Sequence, residues 1–430
     1  MNDRTQVPEG VHTIEVAVPD STGVLRGKLI PVSAWPSVAK GGMHMSVVLY
    51  SWTCRCDVRD DDPMGMDKGC PDMHVVPVRD LRMVPWRPGF ALAICDGRDE
   101  QENPIPTSPR WALERVLARA AKMGFEARIG FEIEFYLLDK KTKQILDDGI
   151  QAYSLVRAAE YEEVLGEMRN QLIEFGIPIE AANTEYAPGQ IEINVRYDEA
   201  MRTADNAVLF RNSIREIAAR HGYLASFMAK PWFGQSGSGV HLHHSLWRDG
   251  VNAFADRRHL SEIGRWYMGG LLRHLPDFAL FGSPTPNSFK RRQAYTFCPE
   301  RATWGHDNRT VALRVIEGNE KSVRVEQRDG SADANPYLII AAQIAAGLDG
   351  IEHHLDPGPS TDGDAYVDTT APLLPRNVPE AIDRLGQSEL AREVFGEALV
   401  NVVTGNARYE HAYINNRVSD VERDRYLDAF

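Results

Sequence analysis

The chain has 430 residues, of which 43% are hydrophobic and 25% are charged, and its formal net charge at pH 7 is −13. This composition excludes a disordered or fibrous chain, and the length allows one large domain or two. The acidic balance argues against a protein that coats nucleic acid.

Targeting signals and membrane spans are not evident in the sequence. The first residues, MNDRTQVPEG, lack the apolar core of a signal peptide, and the longest apolar run, LIIAAQIAAGL (338–348), is too short to cross a membrane. The five cysteines form an odd number without a secretion signal, which indicates reduced thiols. We therefore expect a cytoplasmic protein with no membrane partner.

Short strand-like runs dominate residues 11–103: HTIEVAVP, VLRGKLIPV, MSVVLYSW and FALAICD. A turn-rich acidic loop, CRCDVRDDDPMGMDKGCPD, separates the last two of them. QENPIPTSP (101–109) is typical of a domain junction, and we place the domains at 1–105 and 106–430.

Helical patterns appear only beyond this junction. Ser108 and Pro109 predict the start of a helix, because serine caps a helix and proline suits its first turn. A second helix is predicted through ADNAVLFRNSIREIAARHG (204–222) and a third from Asn335. A long loop (356–379) precedes a helical tail.

Four strand-like segments between these helices share one pattern: RIGFEIEFYLL, EYAPGQIEINV, SGSGVHLHHSLW and SVRVEQR. Side chains alternate faces along a strand, so each segment has one apolar face and one polar face. The polar faces carry Glu132, Glu134, Glu192, His241, His243, Ser245, Arg324, Glu326 and Arg328. Such a face is often merely solvated, but carboxylates repeated beside histidines favour a site for Mg²⁺ or Mn²⁺. Several acidic ligands predict two or more ions, and nearby arginines then suit phosphoryl transfer.

With these motifs the sequence resembles the glutamine synthetase family over nearly its whole length. The matching segments are PDSTGVLRGKLIP, GFEIEFYL, NTEYAPGQIEI, MAKPWFGQSGSGVHLHHSL, NSFKRR, WGHDNRTVALRV and RVEQRDGSADANPYLIIAA. The resemblance implies an α+β fold: an N-terminal β-grasp domain and a catalytic domain whose antiparallel sheet carries the metal ligands. It also implies ATP as cosubstrate, L-glutamate as substrate, and a homo-oligomer, expected to be a dodecamer, with active sites shared between subunits.

The resemblance also assigns roles to single residues. One metal site is expected at Glu134, Glu185 and Glu192, and the other at Glu132, His241 and Glu326. The residues expected to bind ATP are His243, Ser245, Arg309 and Arg314. Glutamate is expected to contact Gly237, Arg291, Arg309 and Arg328, and the three arginines also hold its phosphorylated γ-carboxylate as catalytic residues.

The sequence departs from the ammonia-using members of the family at the amine site. Those members place a glutamate six residues after the arginine of their NSYKR motif, and this chain has Phe297 there. Their N-terminal Asp-Gly-Ser-Ser motif is replaced by VVLYSWTCRC, which contains Trp52, and Ser236 replaces an asparagine near the glutamate site. An aromatic ring cannot accept a proton, but it packs against alkyl or aryl carbon and offers its face to a cation. Phe297 and Trp52 are therefore the predicted amine-binding residues.

Three functions remain open at this point. The pattern most resembles the γ-glutamylpolyamine and γ-glutamylalkylamide synthetase branch, which implies a ligase of glutamate and an organic primary amine. A glutamine synthetase with a displaced ammonium site and a catalytically silent regulatory homologue are the alternatives. The two rings favour an alkyl or aryl monoamine, whereas the acidic loop Asp57 to Asp62 suits the distal ammonium of a polyamine such as putrescine.

Overall fold

The computed structural model describes residues 6–146, 149 and 152–430. Its first sheet lies near the N-terminus and has the strand order β2-β1-β6-β4-β3, with β5 paired to β6. Strands β1 and β6 run parallel, and the other pairs are antiparallel. A short helix, α1 (Trp35–Gly41), lies against β4. The strands are β1 (Thr13–Pro19), β2 (Leu25–Pro31), β3 (Met43–Ser46), β4 (Asp72–Pro77), β5 (Arg82–Met83) and β6 (Phe90–Arg98).

The second sheet carries all four of the segments with a polar face. Its order is β15-β16-β17-β11-β7-β9-β8, with β10 on β7 and β12 on β11, and every pair except β15 with β16 is antiparallel. A separate hairpin joins β13 to β14. The strands are β7 (Glu126–Asp139), β8 (Ile179–Thr184), β9 (Gln190–Glu199), β10 (Tyr223–Ser226), β11 (Gly239–Arg248), β12 (Val251–Asn252), β13 (Ala255–Asp256), β14 (His259–Leu260), β15 (Trp304–His306), β16 (Leu313–Ile316) and β17 (Arg324–Ser331).

Helices pack against the apolar face of the second sheet, and α11 is kinked at Gly396, whose φ is 76°. The helices after α1 are α2 (Pro109–Lys122), α3 (Leu155–Glu160), α4 (Glu162–Glu174), α5 (Ala200–Arg220), α6 (Glu262–His274), α7 (Ala279–Gly282), α8 (Pro286–Phe289), α9 (Pro336–Glu352), α10 (Val378–Gln387), α11 (Glu389–Asn415) and α12 (Asp420–Tyr426).

The predicted apolar faces form the core. Phe131 and Ile133 of β7, Ile193 of β9, Leu242 of β11 and Val325 of β17 are all buried in one hydrophobic cluster. Because side chains alternate along a strand, burying these residues directs their polar neighbours to the opposite face. The predicted α+β fold is confirmed, whereas the domain boundary at residue 105 stays a prediction. Among the described residues, no helix has the length and apolar character needed to span a membrane.

Candidate active site

The register of the second sheet brings the four polar faces together. Strand β7 lies between β9 and β11, so Glu132 is opposite His241 and Glu134 is opposite Glu192. On the other side of β11, His243 is opposite Glu326 of β17. Residues paired across antiparallel strands have side chains close enough to share a ligand. The pattern that the sequence shows as four separate segments is thus one acidic surface.

Three carboxylates form the first candidate metal site. Glu134, Glu185 and Glu192 each offer an oxygen, and these oxygens all lie within 4.8 Å of one another. Glu185 comes from the loop between β8 and β9, where Asn183 donates a hydrogen bond of 3.0 Å to its Oε1. Glu134 Oε2 accepts one of 2.7 Å from the Gly239 backbone N–H. The structure therefore brings together the three residues predicted for one ion.

The second candidate site centres on His241. Its Nδ1 lies 3.5 Å from Glu132 Oε2 and 3.6 Å from Glu326 Oε1, and this nitrogen is buried with no hydrogen-bond partner among the described residues. Glu326 is fully buried and accepts bonds from Arg328 and Arg314, the latter at 3.1 Å. The three residues predicted for the second ion are thus adjacent, and the imidazole is free to coordinate.

His243 is also close to these carboxylates, but its bonding favours another role. Its Nε2 lies 3.1 Å from Glu132 Oε1, while its Nδ1 accepts a hydrogen bond of 3.1 Å from Arg324 Nε. Ligand atoms of Glu132, His243 and Glu326 lie within 4.8 Å of one another, so this imidazole is also within reach of a metal. A neutral imidazole that accepts at Nδ1 carries its proton on Nε2, which then faces Glu132 as a donor. This geometry agrees with the predicted contact of His243 with ATP.

Crowding and burial shift the pKa values of the carboxylates on this surface. Burial, together with the neighbouring Glu134, raises the pKa of Glu185 to about 7. Burial and the charges of Glu132, Glu134 and Glu185 raise the pKa of Glu192 well above its usual range. Burial also opposes the ionisation of Glu132, but the imidazoles of His241 and His243 outweigh it and lower that pKa well below its usual range. Two imidazole nitrogens beside these carboxylates, His241 Nδ1 and His243 Nε2, have no hydrogen-bond partner among the described residues. Carboxylate oxygens with few imidazoles are ligands that Mg²⁺ or Mn²⁺ accepts, so the residues present fit two such ions.

The raised pKa of Glu185 predicts a pH dependence of metal binding. In the metal-free protein the folded state holds this proton more tightly than the unfolded state, so stability falls as pH rises from about 6 to about 8. Mg²⁺ binds the ionised form, so its affinity rises over the same window and binding releases protons. Calorimetry at both pH values, with thermal melts in EDTA, tests this. Glu185→Gln is expected to reduce both dependences, and a wild-type affinity that does not change with pH contradicts the expectation.

The predicted arginines lie around this surface and differ in burial and in hydrogen-bond partners. Arg291 is buried, and its Nη1 donates to the Gly330 carbonyl at 2.8 Å and to Ser331 Oγ at 3.1 Å. The Nε of Arg328 is buried with no acceptor among the residues that the structure describes. Arg314 Nε donates to Asp307 at 3.0 Å. Arg309 is exposed in the loop before β16. Buried guanidinium donors near a candidate metal site suit a phosphorylated carboxylate.

Gly237 and Ser245 occupy positions with little spare room. A Cβ on Gly237 would lie 2.5 Å from Arg291 Cγ and 2.8 Å from the Ala229 carbonyl oxygen, so a side chain there would displace Arg291. Ser245 is buried, and its Oγ accepts a hydrogen bond of 2.9 Å from Trp247 Nε1. The predicted backbone contact of Gly237 with glutamate therefore coincides with a place where only glycine fits.

The two predicted amine-binding residues are not in contact within the described chain. Trp52 donates to Asp20 Oδ2 at 3.1 Å, and Arg26 stacks over its ring. Phe297 instead lies next to Tyr186, with ring centroids 6.0 Å apart. Tyr186 directly follows the candidate ligand Glu185, and sequence reasoning missed it. Its position beside a metal-site glutamate was the one available signal.

A cavity of about 430 Å³ lies elsewhere, between the turn at residues 21–25 and α11. Its walls are largely apolar, with Phe227 and Leu338 among them, and no residue of the predicted site lines it. The acidic surface, and not this cavity, holds the chemistry that the sequence predicts.

Comparison with known proteins agrees with this geometry. The protein-family model named "glutamine synthetase, catalytic domain" matches residues 106–426 of this chain. A glutamate–isopropylamine ligase of a Pseudomonas species is 34% identical in an alignment 440 residues long, gaps included. This alignment covers 97% of this chain and 95% of the relative. A γ-glutamylethanolamide synthetase of Streptomyces coelicolor is also 34% identical, over 97% of this chain and 93% of its own. Other relatives of similar identity are named glutamine synthetases.

A solved structure, a GmaS/ADP complex, superposes with a TM-score of 0.89 at 31% identity and covers 100% of both chains. The family match spans well over half of the chain, and the relatives above align with nearly all of it. The chain therefore belongs to the glutamine synthetase family.

Proposed function

We propose that the chain is an ATP-dependent ligase that joins the γ-carboxylate of L-glutamate to an organic primary amine. The products are a γ-glutamylamide, ADP and phosphate, and the amine is a polyamine such as putrescine or an alkyl or aryl monoamine. One observation carries the proposal: Phe297 follows Arg291 by six residues, the sequence position at which the ammonia-using members have a glutamate, and its ring lies beside Tyr186. The names of the isopropylamine and ethanolamide relatives support it.

The reaction has two steps. A γ-carboxylate oxygen attacks the γ-phosphorus of ATP and ADP leaves, which converts a poor electrophile into an acyl phosphate. The amine nitrogen then attacks the acyl carbon, the bond from that carbon to the phosphate oxygen breaks, and the proton lost by nitrogen ends on phosphate. We assign Arg291, Arg309 and Arg328 to the negative charge on the transferred phosphoryl group, because preorganised cations stabilise such charge.

The acidic surface would hold the metal ions. Glu134, Glu185 and Glu192 would bind one ion, and Glu132, His241 and Glu326 the other. Bound there, Mg²⁺ or Mn²⁺ supplies Lewis-acid neutralisation of phosphate oxygens.

Nucleotide binding, assembly and compartment complete the proposal. We assign His243, Ser245, Arg309 and Arg314 to ATP, which needs no phosphate-binding loop when metals and arginines hold it.

We further propose a homo-oligomer, a dodecamer, in which the Trp52 region of one subunit approaches the Phe297 region of its neighbour. A cytoplasmic location remains a prediction that rests on the cysteine count.

Phosphate release with glutamate, ATP and Mg²⁺ tests the proposed function. With a panel of primary amines we expect kcat/KM for the best amine to exceed that for ammonium at least about tenfold, because Phe297 gives ammonium no carboxylate. Detection of the γ-glutamylamide by mass spectrometry identifies the product.

The two alternatives predict different results in the same assay. A preference for ammonium over every amine would favour a glutamine synthetase with a displaced ammonium site. No release with any nucleophile, although nucleotide still binds, would favour a silent regulatory homologue.

A further inference from the structure

Two half-exposed aromatic rings stand side by side at the edge of the acidic surface. The centroids of Tyr186 and Phe297 are 6.0 Å apart, their planes are inclined by 33°, and the residues are 50% and 45% exposed. The Tyr186 backbone N–H lies 3.3 Å from Glu185 Oε2. Exposed large rings that face a functional cluster are typical of binding surfaces, because solvent exposure costs free energy that a ligand recovers.

Several contacts support the loop that carries Phe297. Phe297 and Tyr295 both have positive φ, at 56° and 63°, which non-glycine residues seldom adopt. The Tyr295 ring packs on Tyr366 at 5.1 Å, and the Tyr366 hydroxyl donates to the Cys298 carbonyl. Thr296 Oγ1 donates to the Gln293 carbonyl at 2.7 Å. These contacts compensate for the backbone strain and fix the Phe297 ring beside Tyr186.

The acidic loop that suits a polyamine is partly engaged within its own chain. Asp57 Oδ2 accepts a bond of 2.6 Å from Thr53, and Asp61 pairs with Arg59 at 3.1 Å. Asp62 is buried, and its Oδ1 accepts from the Met64 N–H. Asp60 is exposed, and Asp62 Oδ2 has no hydrogen-bond partner among the described residues, so these contacts engage the loop only in part.

One other carboxylate lies near the rings in sequence. Glu300 follows Phe297 by three residues and shares a small recess with Arg301 and Tyr366. An arginine in the same recess opposes the binding of a cation there. Glu185 itself belongs to the candidate metal site.

From this arrangement we infer that Tyr186 and Phe297 together form the wall of the amine site and select a monoamine with an apolar substituent over a polyamine. This inference rests on the proposed function. The rings bury alkyl or aryl carbon, whereas an ammonium placed against them would lose water without gaining a charged partner from either ring. The same apolar wall disfavours the charged form of the reacting amine, which promotes the neutral nucleophile that the second step requires.

Butylamine and putrescine test the inference, because they share a four-carbon chain and differ in the second ammonium. We expect wild-type kcat/KM for butylamine to exceed that for putrescine at least about tenfold. Tyr186→Ala is expected to lower the ratio of butylamine to ammonium kcat/KM about tenfold, mainly through KM for butylamine. Tyr186→Phe, which keeps the ring, is expected to retain the ratio.

The partner ring gives an independent readout. Phe297→Ala is expected to lower the same ratio, and the double variant to lower it by less than the product of the two single effects, because each ring loses its partner in both cases. Thermal melts verify that the variants are folded.

Different results would contradict the inference and the proposed function. A wild-type preference for putrescine overturns the inference, most directly if Glu300→Gln abolishes that preference. An unchanged butylamine ratio in Tyr186→Ala overturns it as well. If wild-type enzyme uses ammonium and no organic amine, the proposed function itself fails, and the inference fails with it.

Discussion

Glu134→Gln is expected to lower glutamate-dependent phosphate release at least about 100-fold, because it removes one charge from the proposed ligands of a metal ion that would stabilise the transferred phosphoryl group. The amide oxygen of glutamine still accepts the hydrogen bond that the Gly239 N–H donates to Glu134 at 2.7 Å. The fold should therefore persist. Since Glu134 repels Glu185 and Glu192, the metal-free variant is expected to melt no lower than wild type.

Activity measured across a Mg²⁺ titration, with thermal melts in EDTA, decides this. Glu126→Gln is the matched control, because Glu126 lies on the same strand but is exposed and pairs with Arg128 at 2.7 Å. Its activity should remain near that of wild type, since an exposed ion pair contributes little. Unchanged turnover of Glu134→Gln at saturating Mg²⁺ would rule out the metal assignment.

The elements of the fold were predictable where a local signal agreed with tertiary packing. The helix starts at Ser108 and Asn335 are confirmed, because both side chains accept hydrogen bonds from backbone N–H groups of the first helical turn. The strand predicted over MSVVLYSW is only partly correct. Strand β3 ends at Ser46, and a 3-10 helix follows at Val47–Tyr50. The Tyr50 hydroxyl donates to the buried Asp96 at 2.6 Å, so tertiary contacts outweigh the β propensity of the segment.

The residues of the candidate site were predictable from the sequence, but their arrangement was not. Alternation along single strands identified the polar side chains, but the pairing of those strands depends on register, which no local pattern contains. The family resemblance assigned different roles to His241 and His243, and the structure adds that Arg324 donates a hydrogen bond to His243. Tyr186 was missed since its role depends on a contact with Phe297 from a distant loop. Local sequence signals do not predict contacts between segments that are remote in sequence.

The substitution with the largest expected effect on specificity is Phe297→Glu, which restores the carboxylate of the ammonia-using members. We expect kcat/KM for ammonium to rise at least about tenfold and that for butylamine to fall about tenfold. The new carboxylate would attract ammonium and accept its proton, while the loss of the ring would leave alkyl carbon without a partner beside Tyr186. Because glutamate adopts a φ of 56° no worse than phenylalanine does, the loop should keep its conformation.

Phe297→Gln separates the charge from the loss of the ring, because glutamine matches the shape of glutamate but cannot ionise. It is expected to lose butylamine activity without gaining ammonium activity, as measured by phosphate release with each nucleophile. An equal gain of ammonium activity in the glutamine variant would mean that the ring only blocked access, and the carboxylate argument would then be wrong. A wild-type enzyme that already prefers ammonium would contradict the role of Phe297 altogether. The charge at position 297, more than the size of its side chain, is therefore expected to decide which nitrogen nucleophile the acyl phosphate meets.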